Sequence, residues 1–577
     1  MRGQANVRPH SLRAARTGSP GREVFTVIGP RPEYPRPALR RAEWLSLNGE
    51  WEFGAGPDPI LDRSILVPFC AESELSGVGE LPGDVVWYRR RFDAPAAEVV
   101  VLHFGAVDYR ATVWVNDVEV ARHEGGHTPF SAEITAALRD RDNVLVVKAE
   151  DPLADQTTPR GKQYWKAIPE SIFYTPTTGI WQSVWLEPLP ALRIRGLRTR
   201  PDLESGAVDI EIDADGRVAV VATFEGQVVG RWSGQGGHGR MRLDHVVPWQ
   251  PGSPVLYELQ ATLFDRDGAA IDRVDGYFGV RKVETRDGKF WLNGKPFIQR
   301  LVLDQGYFPG GLLTAPNDNA LRADIEMALS LGFNGARKHQ KVEDPRWLYW
   351  ADRLGFLCWS EMPSFHEHSV EAERRLIAEW ADVVREHRDH PSVVAWVPAN
   401  ESFGLQHIDP SVRSNFLMRL YDLTHKLDGT RPVSSNDGWE HALTDMCTLH
   451  DYSPPAGLAR NYRTVEAALG ARAGDHAAYD PGFGYRGEPV LVTEFGGLRL
   501  SGSGGWGYND ARDPNQFLNI YRGLIDGLMQ PGPVEGFCYT QLTDVEQETN
   551  GLVTFDRVPK VDPSLVRAAT QKAKGAT

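Results

Sequence analysis

The chain reads as three folds in succession: an N-terminal jelly-roll β-sandwich, an immunoglobulin-like β-sandwich, and a C-terminal (β/α)8 barrel. Three observations lead there. At 577 residues the chain exceeds what one hydrophobic core can fill. From about Glu43 to Lys282 it consists of short alternating apolar–polar runs with close-set turn clusters and hardly a helical stretch. Beyond a hairpin turn at Asn293-Gly294, apolar runs alternate with amphipathic segments eight times in about 280 residues, the size of a (β/α)8 barrel. The expected division is 1–30 (a disordered basic tail), 31–189 (jelly roll), 190–284 (immunoglobulin-like) and 285–577 (barrel).

The tail has no acid before Glu23 and lacks the apolar core of a secretory signal, so a cytoplasmic location is expected. No run approaches the roughly 20 apolar residues of a membrane span. A net charge of -14 and a pI near 5.7 argue against nucleic acid or an anionic membrane as partner. The cysteines (Cys70, Cys358, Cys447, Cys538) contain no C-x-x-C pair, so neither a disulfide framework nor a zinc site is expected.

In the jelly-roll region the strand-like runs include Trp51–Phe53, Val86–Phe92, Val99–Phe104, Ala111–Asn116 and Asn143–Lys148. In the next region they are Ala207–Ile212, Val218–Thr223 and Leu256–Ala261, with the role of a spacer. The expected barrel strands are Phe297–Leu303, Phe333–Lys338, Phe356–Glu361, Val393–Ala399, Val433–Ser435, Met446–His450, Val490–Thr493 and Gly536–Gln541. Between them the periodicity predicts helices over Asn319–Leu331, Pro345–Leu354, Val370–His387, Ser411–Lys426 and Pro514–Met529. A doubly wound open sheet is the alternative, but no G-x-G-x-x-G follows the first strand.

Barrel active sites form where strands end at the C-terminal face. The expected strand ends carry Asp304-Gln305, Arg337-Lys338-His339-Gln340, Glu361, Asn400-Glu401, Asn436-Asp437, His450-Asp451-Tyr452, Glu494, and Gln541 with Asp544. Such a rim suits a hydroxyl-rich ligand. Two apolar runs stop on a glutamate, Glu401 and Glu494, and a charge is costly to bury unless paired or put to use. Paired carboxylates at one barrel mouth are the minimum equipment for cleaving a glycosidic bond. Taken singly, each could equally be a solvated strand end, just as Asp304 could be a helix cap and Trp396 a core residue.

At this point the chain resembles glycoside hydrolase family 2, the β-galactosidase, β-glucuronidase and β-mannosidase family. The resemblance spans about Trp44 to Lys560. It rests on Leu47-Asn-Gly-Glu-Trp-Glu-Phe53, Trp87-Tyr-Arg-Arg90, Thr178-Gly-Ile-Trp-Gln182, Arg388-Asp-His-Pro-Ser-Val-Val394, Asn400-Glu401, Glu494, and Tyr539-Thr-Gln-Leu-Thr-Asp-Val-Glu-Gln-Glu548 before Asn550-Gly-Leu. It implies a retaining double displacement with Glu494 as nucleophile, Glu401 as acid/base, and Asn400 on the sugar 2-hydroxyl. Asp304, Arg337, His339, His450, Tyr452 and Gln541 complete the expected substrate-binding set. A carbohydrate is the expected partner, and neither cofactor nor metal is required. A homo-oligomer formed through the sandwiches is compatible with the family.

Two departures stand out. The family's Arg-x-Ser-His at the second strand is Arg337-Lys-His-Gln340 here. No equivalent of the Asn-x-Lys motif that reads the carboxylate in β-glucuronidases lies near Ser501–Asn509, which argues against a uronic acid. A β-galactosidase-like exo-hydrolase is therefore the first expectation. Galactofuranosides, arabinosides, β-mannosides and β-glucuronides remain alternatives, as do a transglycosylase and a catalytically inactive carbohydrate-binding protein.

Overall fold

The computed structural model describes residues 29–471, 474–502 and 504–575, so the expected basic tail lies outside the described residues as far as residue 28. The first sandwich is built from two antiparallel sheets. One pairs Leu45–Ser46, Val184–Leu189, Val99–Phe104 and Phe130–Glu133. The other runs Arg63–Val67, Gly49–Ala55, Val85–Phe92, Asn143–Glu150, Arg110–Val115 and Val118–Glu124. Alternation sends Trp51, Phe53, Tyr88, Val113, Leu145 and Val147 into the space between them, each essentially fully buried. Full burial of a Val or Phe side chain contributes about 1.5–3 kcal/mol, which makes this alternation the main force closing the sandwich.

The second unit differs from expectation in one element. The runs around Ala207–Ile212 and Val218–Thr223 belong to one long strand, Ala207–Phe224, hairpinned to Gln227–Arg242. The pairing register shifts between Ile212 and Arg217. The first half pairs with Gly196–Asp202 and the second with Tyr257–Phe264, so an irregularity does the work expected of a turn. This unit docks on the barrel around Asp352, whose carboxylate accepts from Tyr277 Oη at 2.8 Å and from the Ser392 backbone N–H at 2.9 Å.

The barrel sheet is parallel, in the order Val393–Val397, Leu357–Glu361, Gly335–Lys338, Gln299–Asp304, Val534–Tyr539, Val490–Glu494 and Cys447–His450. Almost every strand residue is buried, as helices covering the outer face and a packed interior require. The expected fifth strand, Val433–Ser435, is instead an extended segment. It is tied to the Val393–Val397 strand by Trp396 N–H to Pro432 O (3.1 Å) and Ser434 N–H to Trp396 O (2.9 Å). Toward the Cys447–His450 strand its link is a side-chain bond, Ser434 Oγ to Thr448 Oγ1 at 2.9 Å. The run Ser434-Ser-Asn-Asp437 places four short polar side chains together, and these compete with a backbone ladder for hydrogen bonds.

The five expected helices form at Asp318–Ser330, Pro345–Leu354, Val370–His387, Pro410–Leu427 and Pro514–Met529. Short helices at Pro455–Asn461, Val465–Gly470 and Pro563–Thr570 were not foreseen. Asp344, Asp409, Asp513 and Asp562 each stand before a proline at the first helical position and accept from a first-turn backbone N–H. Trp396 is core, packed edge-on against Trp380 and donating to Asp428 Oδ2 at 2.9 Å. All four cysteines are buried and free. Among the described residues no helix is long and apolar enough to cross a membrane.

One segment of the first sandwich matters for the site. Residues 151–178 leave the sheets and lie on the barrel mouth. Arg160 and Gly161 N–H groups donate to Ser364 O (3.1 and 3.0 Å), and Gln547 Nε2 donates to the Ser171 and Phe173 carbonyls (2.8 Å each). Gly161 has φ +59°, and a β-carbon there would lie 2.3 Å from the Gln340 carbonyl oxygen. The backbone approach therefore demands glycine. Gly161→Val should lower the melting temperature, at a cost of about 2 kcal/mol for strain plus overlap. It should also cut catalytic efficiency; a variant with unchanged melting temperature and unchanged turnover would refute this account of the seam.

Candidate active site

Arg337, on the inward face of the Gly335–Lys338 strand, is 0% exposed and forms the centre of the barrel mouth. Its Nη2 donates to Glu494 Oε1 at 2.6 Å and to Asn400 Oδ1 at 3.2 Å. Its Nη1 pairs with Asp437, and its Nε lies 2.8 Å from Glu361 Oε2. One guanidinium thus gathers carboxylates from three other barrel elements. A buried cation of this kind is tolerated only with such compensation.

Glu494 closes the Val490–Glu494 strand and accepts a second bond, from Tyr452 Oη at 2.7 Å. Burial alone would raise its carboxyl, but the charges of His450 and Arg337 outweigh burial and hold it down at about 2. Glu401 lies beyond the Val393–Val397 strand, on a turn where Glu401 and Ser402 both adopt positive φ (50° and 52°). The Glu401 N–H bonds to Asp437 O at 2.9 Å, which anchors this turn to the polar segment beside it. Glu401 is the more open carboxylate, with 16% of its side chain exposed against 7% for Glu494. A carboxylate oxygen of each lies within 4.8 Å of the other and of His450.

His450 bridges the two layers. Its Nδ1 is 2.6 Å from Glu401 Oε1 and its Nε2 is 3.0 Å from Asp437 Oδ2. Burial opposes its protonation, yet Glu494, Asp437 and Glu401 together raise it to about 10. As an imidazolium it has both ring nitrogens committed as donors, to Glu401 and Asp437. Asp437 is held well below the usual carboxylate range, Arg337 and His450 overcoming the effect of burial.

Asn400 is buried, and its Nδ2 has no partner among the described residues although its Oδ1 is engaged. His339 is kept neutral by burial, by Arg337 and by Lys162. Its Nδ1 lies 2.7 Å from Arg337 Nη2 and 3.0 Å from Glu361 Oε1. Tyr452 stacks on Tyr508 with ring centres 3.6 Å apart. These residues, with Glu401, Glu494, Arg337 and His450, come together at one mouth.

Two predicted residues are otherwise engaged. Asp304 accepts from Lys338 Nζ at 2.8 Å and from the Gly306 N–H at 2.9 Å, so both oxygens brace the rim. Gln541 is fully buried between Gln305 and Asn550, at 2.8 and 2.7 Å. Asp437 and Glu361 were visible as strand-end polar residues without being assigned to the site. Burial pushes the Glu361 carboxyl up to about 7 against the pull of Arg337.

Comparison with known proteins gives the chain its family. Residues 64–178 match the galactose-binding domain-like model of glycosyl hydrolase family 2, residues 192–281 the model described as glycosyl hydrolases family 2, and residues 283–506 that family's TIM barrel domain. The chain belongs to glycoside hydrolase family 2. It is 26% identical over 530 residues to a β-glucuronidase of Paenibacillus borealis, covering 81% of this chain and 85% of that one. A β-galactosidase of Thermoanaerobacter pseudethanolicus is 26% identical over 64% of this chain, which spans about half (51%) of that longer protein. Among solved structures, the Ruminococcus gnavus β-glucuronidase in complex with D-glucuronic acid superposes with a TM-score of 0.76 at 20% identity, covering 92% of this chain and 98% of that one. At that identity the likeness speaks for the fold. The protein is a glycosidase.

His450 and Glu494 link the site to stability in opposite directions. The raised His450 contributes fully below the ordinary histidine value of about 6.5, and its contribution disappears as pH rises through about 10. The depressed Glu494 contributes above about 4.3 and ceases to as pH falls through about 2. His450→Gln should therefore lower the melting temperature at pH 6 by an amount corresponding to a few kcal/mol, and the difference from wild type should shrink between pH 7 and 10. Parallel melting curves across that range would contradict a charged His450.

Proposed function

We propose that this enzyme is a retaining exo-glycosidase that removes terminal β-linked sugars by double displacement, with Glu494 as nucleophile and Glu401 as acid/base. The observation that supports this reading is the spacing of the two carboxylates, whose oxygens approach within 4.8 Å. Retaining enzymes hold their carboxyl groups about 5–5.5 Å apart, whereas inverting ones leave about 6.5–9.5 Å for an intervening water.

In the first step a Glu494 oxygen bonds to the anomeric carbon while the bond from that carbon to the leaving oxygen breaks. The leaving oxygen takes a proton from Glu401, which His450 Nδ1–H, 2.6 Å from Glu401 Oε1, supplies. In the second step water gives a proton to Glu401 as its oxygen bonds to the anomeric carbon and releases Glu494. Glu494 starts ionised because Arg337 and Tyr452 hold its two oxygens. Forming the ester neutralises Glu494, leaving Arg337 paired with Asp437 and Glu361. The free Asn400 Nδ2 is a donor for the sugar 2-hydroxyl, a contact that strengthens as positive charge builds on the ring.

For the sugar, we favour a β-glucuronide over the β-galactoside expected from the sequence. The support is that the Paenibacillus relative and that of Canis lupus familiaris are both named β-glucuronidase. Glu494→Gln and Glu401→Gln should each lower turnover of an aryl β-glycoside by at least about 1,000-fold, and Glu494→Gln should also lower the melting temperature because buried Arg337 loses a carboxylate partner. Sodium azide should restore turnover to Glu494→Ala and yield the α-glycosyl azide, identified by NMR. Wild-type rates in Glu494→Gln, or a product of inverted configuration from the unmodified enzyme, would sink the mechanism.

A further inference from the structure

Lys162 lies in the segment of the first sandwich that covers the barrel mouth, directly after the close approach at Gly161. Its backbone is fixed by Tyr174 N–H donating to Lys162 O at 2.8 Å. The residue is only 6% exposed. Its Nζ stands 5.6 Å from the centre of the Phe403 ring and 6.0 Å from that of Phe173. Phe403 belongs to the turn that carries Glu401, and its N–H bonds to Asn400 O at 2.9 Å. On its other sides the Lys162 charge bears on His339 and on Glu548. The ammonium therefore sits among residues that follow three different barrel strands, one of them on the turn that carries Glu401.

What sets Lys162 apart is its lack of an anion. Lys338 has Asp304 and Glu343 at 2.8 and 2.6 Å, Lys341 has Glu343 at 3.0 Å, and Lys560 has Asp544 at 2.6 Å. The Lys162 ammonium has no hydrogen-bond or ion-pair partner among the described residues. Glu548, the nearby carboxylate, has one oxygen taken by the Tyr174 hydroxyl and the other by Asn550 Nδ2 at 2.9 Å. Two aromatic faces offset part of the desolvation of an ammonium, but far less than a carboxylate does. A buried, unpaired cation beside a substrate cleft is completed when the ligand supplies the charge.

We propose that Lys162 is the counter-ion for a carboxylate on the terminal sugar, so that the sandwich supplies the selection for uronic acids that the loop near Ser501–Asn509 lacks. This rests on the glycosidase reading above. A uronate entering the mouth forms a charge-assisted pair in a water-poor site, whereas a neutral hexoside leaves the ammonium stripped of water and unpaired. Selectivity then comes as much from the unfavourable neutral complex as from the favourable acidic one.

The test compares kcat/KM for para-nitrophenyl β-D-glucuronide with that for the corresponding β-D-galactoside and β-D-glucoside, in wild type, Lys162→Met and Lys162→Arg. The expected result is a uronide-to-neutral ratio that falls about 100-fold or more in Lys162→Met and is partly kept in Lys162→Arg, at matched melting temperatures. Calorimetry with D-glucuronic acid should show binding to wild type that Lys162→Met loses. A ratio and a D-glucuronic acid affinity both unchanged by Lys162→Met would overturn the role of Lys162 and leave the glycosidase reading intact. Wild-type turnover of neutral glycosides without any uronide turnover or D-glucuronic acid binding would overturn the uronate assignment. Absence of turnover on every aryl glycoside would overturn the proposed function itself.

Discussion

The Arg337 guanidinium is fully buried at the top of the barrel, and the geometry of the mouth follows from the need to compensate it. Glu361, Asp437 and Glu494 arrive from separate barrel elements, and each is within hydrogen-bonding distance of one of its nitrogens. Removing an ion from water costs several kcal/mol even after relaxation, so none of these four groups is stable in place without the others. That mutual dependence turns a catalytic requirement into a folding constraint. The ionised Glu494 is not added to a finished barrel; it is one of the charges that lets the barrel close over Arg337.

His450 extends the same logic outward. It couples Asp437, which the arginine already holds, to Glu401, which faces the cleft. The result is a gradient of protonation across a few ångströms: Glu494 stripped of its proton, Glu361 pushed up, and His450 charged beside Glu401. The two glutamates differ in position: Glu494 touches Arg337, and Glu401 touches His450 instead.

Much of this was legible in the sequence, for identifiable reasons. Parallel barrel strands are buried on both faces, so they read as unbroken apolar runs, and a glutamate at the end of such a run is conspicuous. Helices beginning Asp-Pro announce themselves through capping chemistry. Legibility was lower where side chains share the work of the backbone: the segment Val433–Asp437 has isolated bridges on one side and side-chain bonds toward the other, and Asp437 took its importance from Arg337, a hundred residues earlier in the chain. Asp304 and Gln541 are a different case: Asp304 ends its strand and Gln541 lies two residues beyond its own, and neighbours, Lys338 and Gly306 for one and Gln305 and Asn550 for the other, take up hydrogen-bonding atoms of each. The chain pattern places a residue on the rim but does not say which of its atoms are left free.

Lys162 shows the furthest reach of that limitation. Among the described residues of its own sandwich only Phe173 lies against its ammonium; the rest of its surroundings (Phe403, His339, Glu548) come from the barrel and depend on how the two units dock. The docking in turn depends on Gly161, where any side chain would collide with the Gln340 carbonyl. In the proposed function the barrel supplies the reacting carboxylates and the sandwich loop a cation, dividing the chemistry between reaction and recognition. Such a division lets the recognition loop change without disturbing the charges that hold Arg337 in the core. It also means that a missing motif on the barrel rim is weak grounds for excluding a substrate, because the complementary charge can enter from another domain.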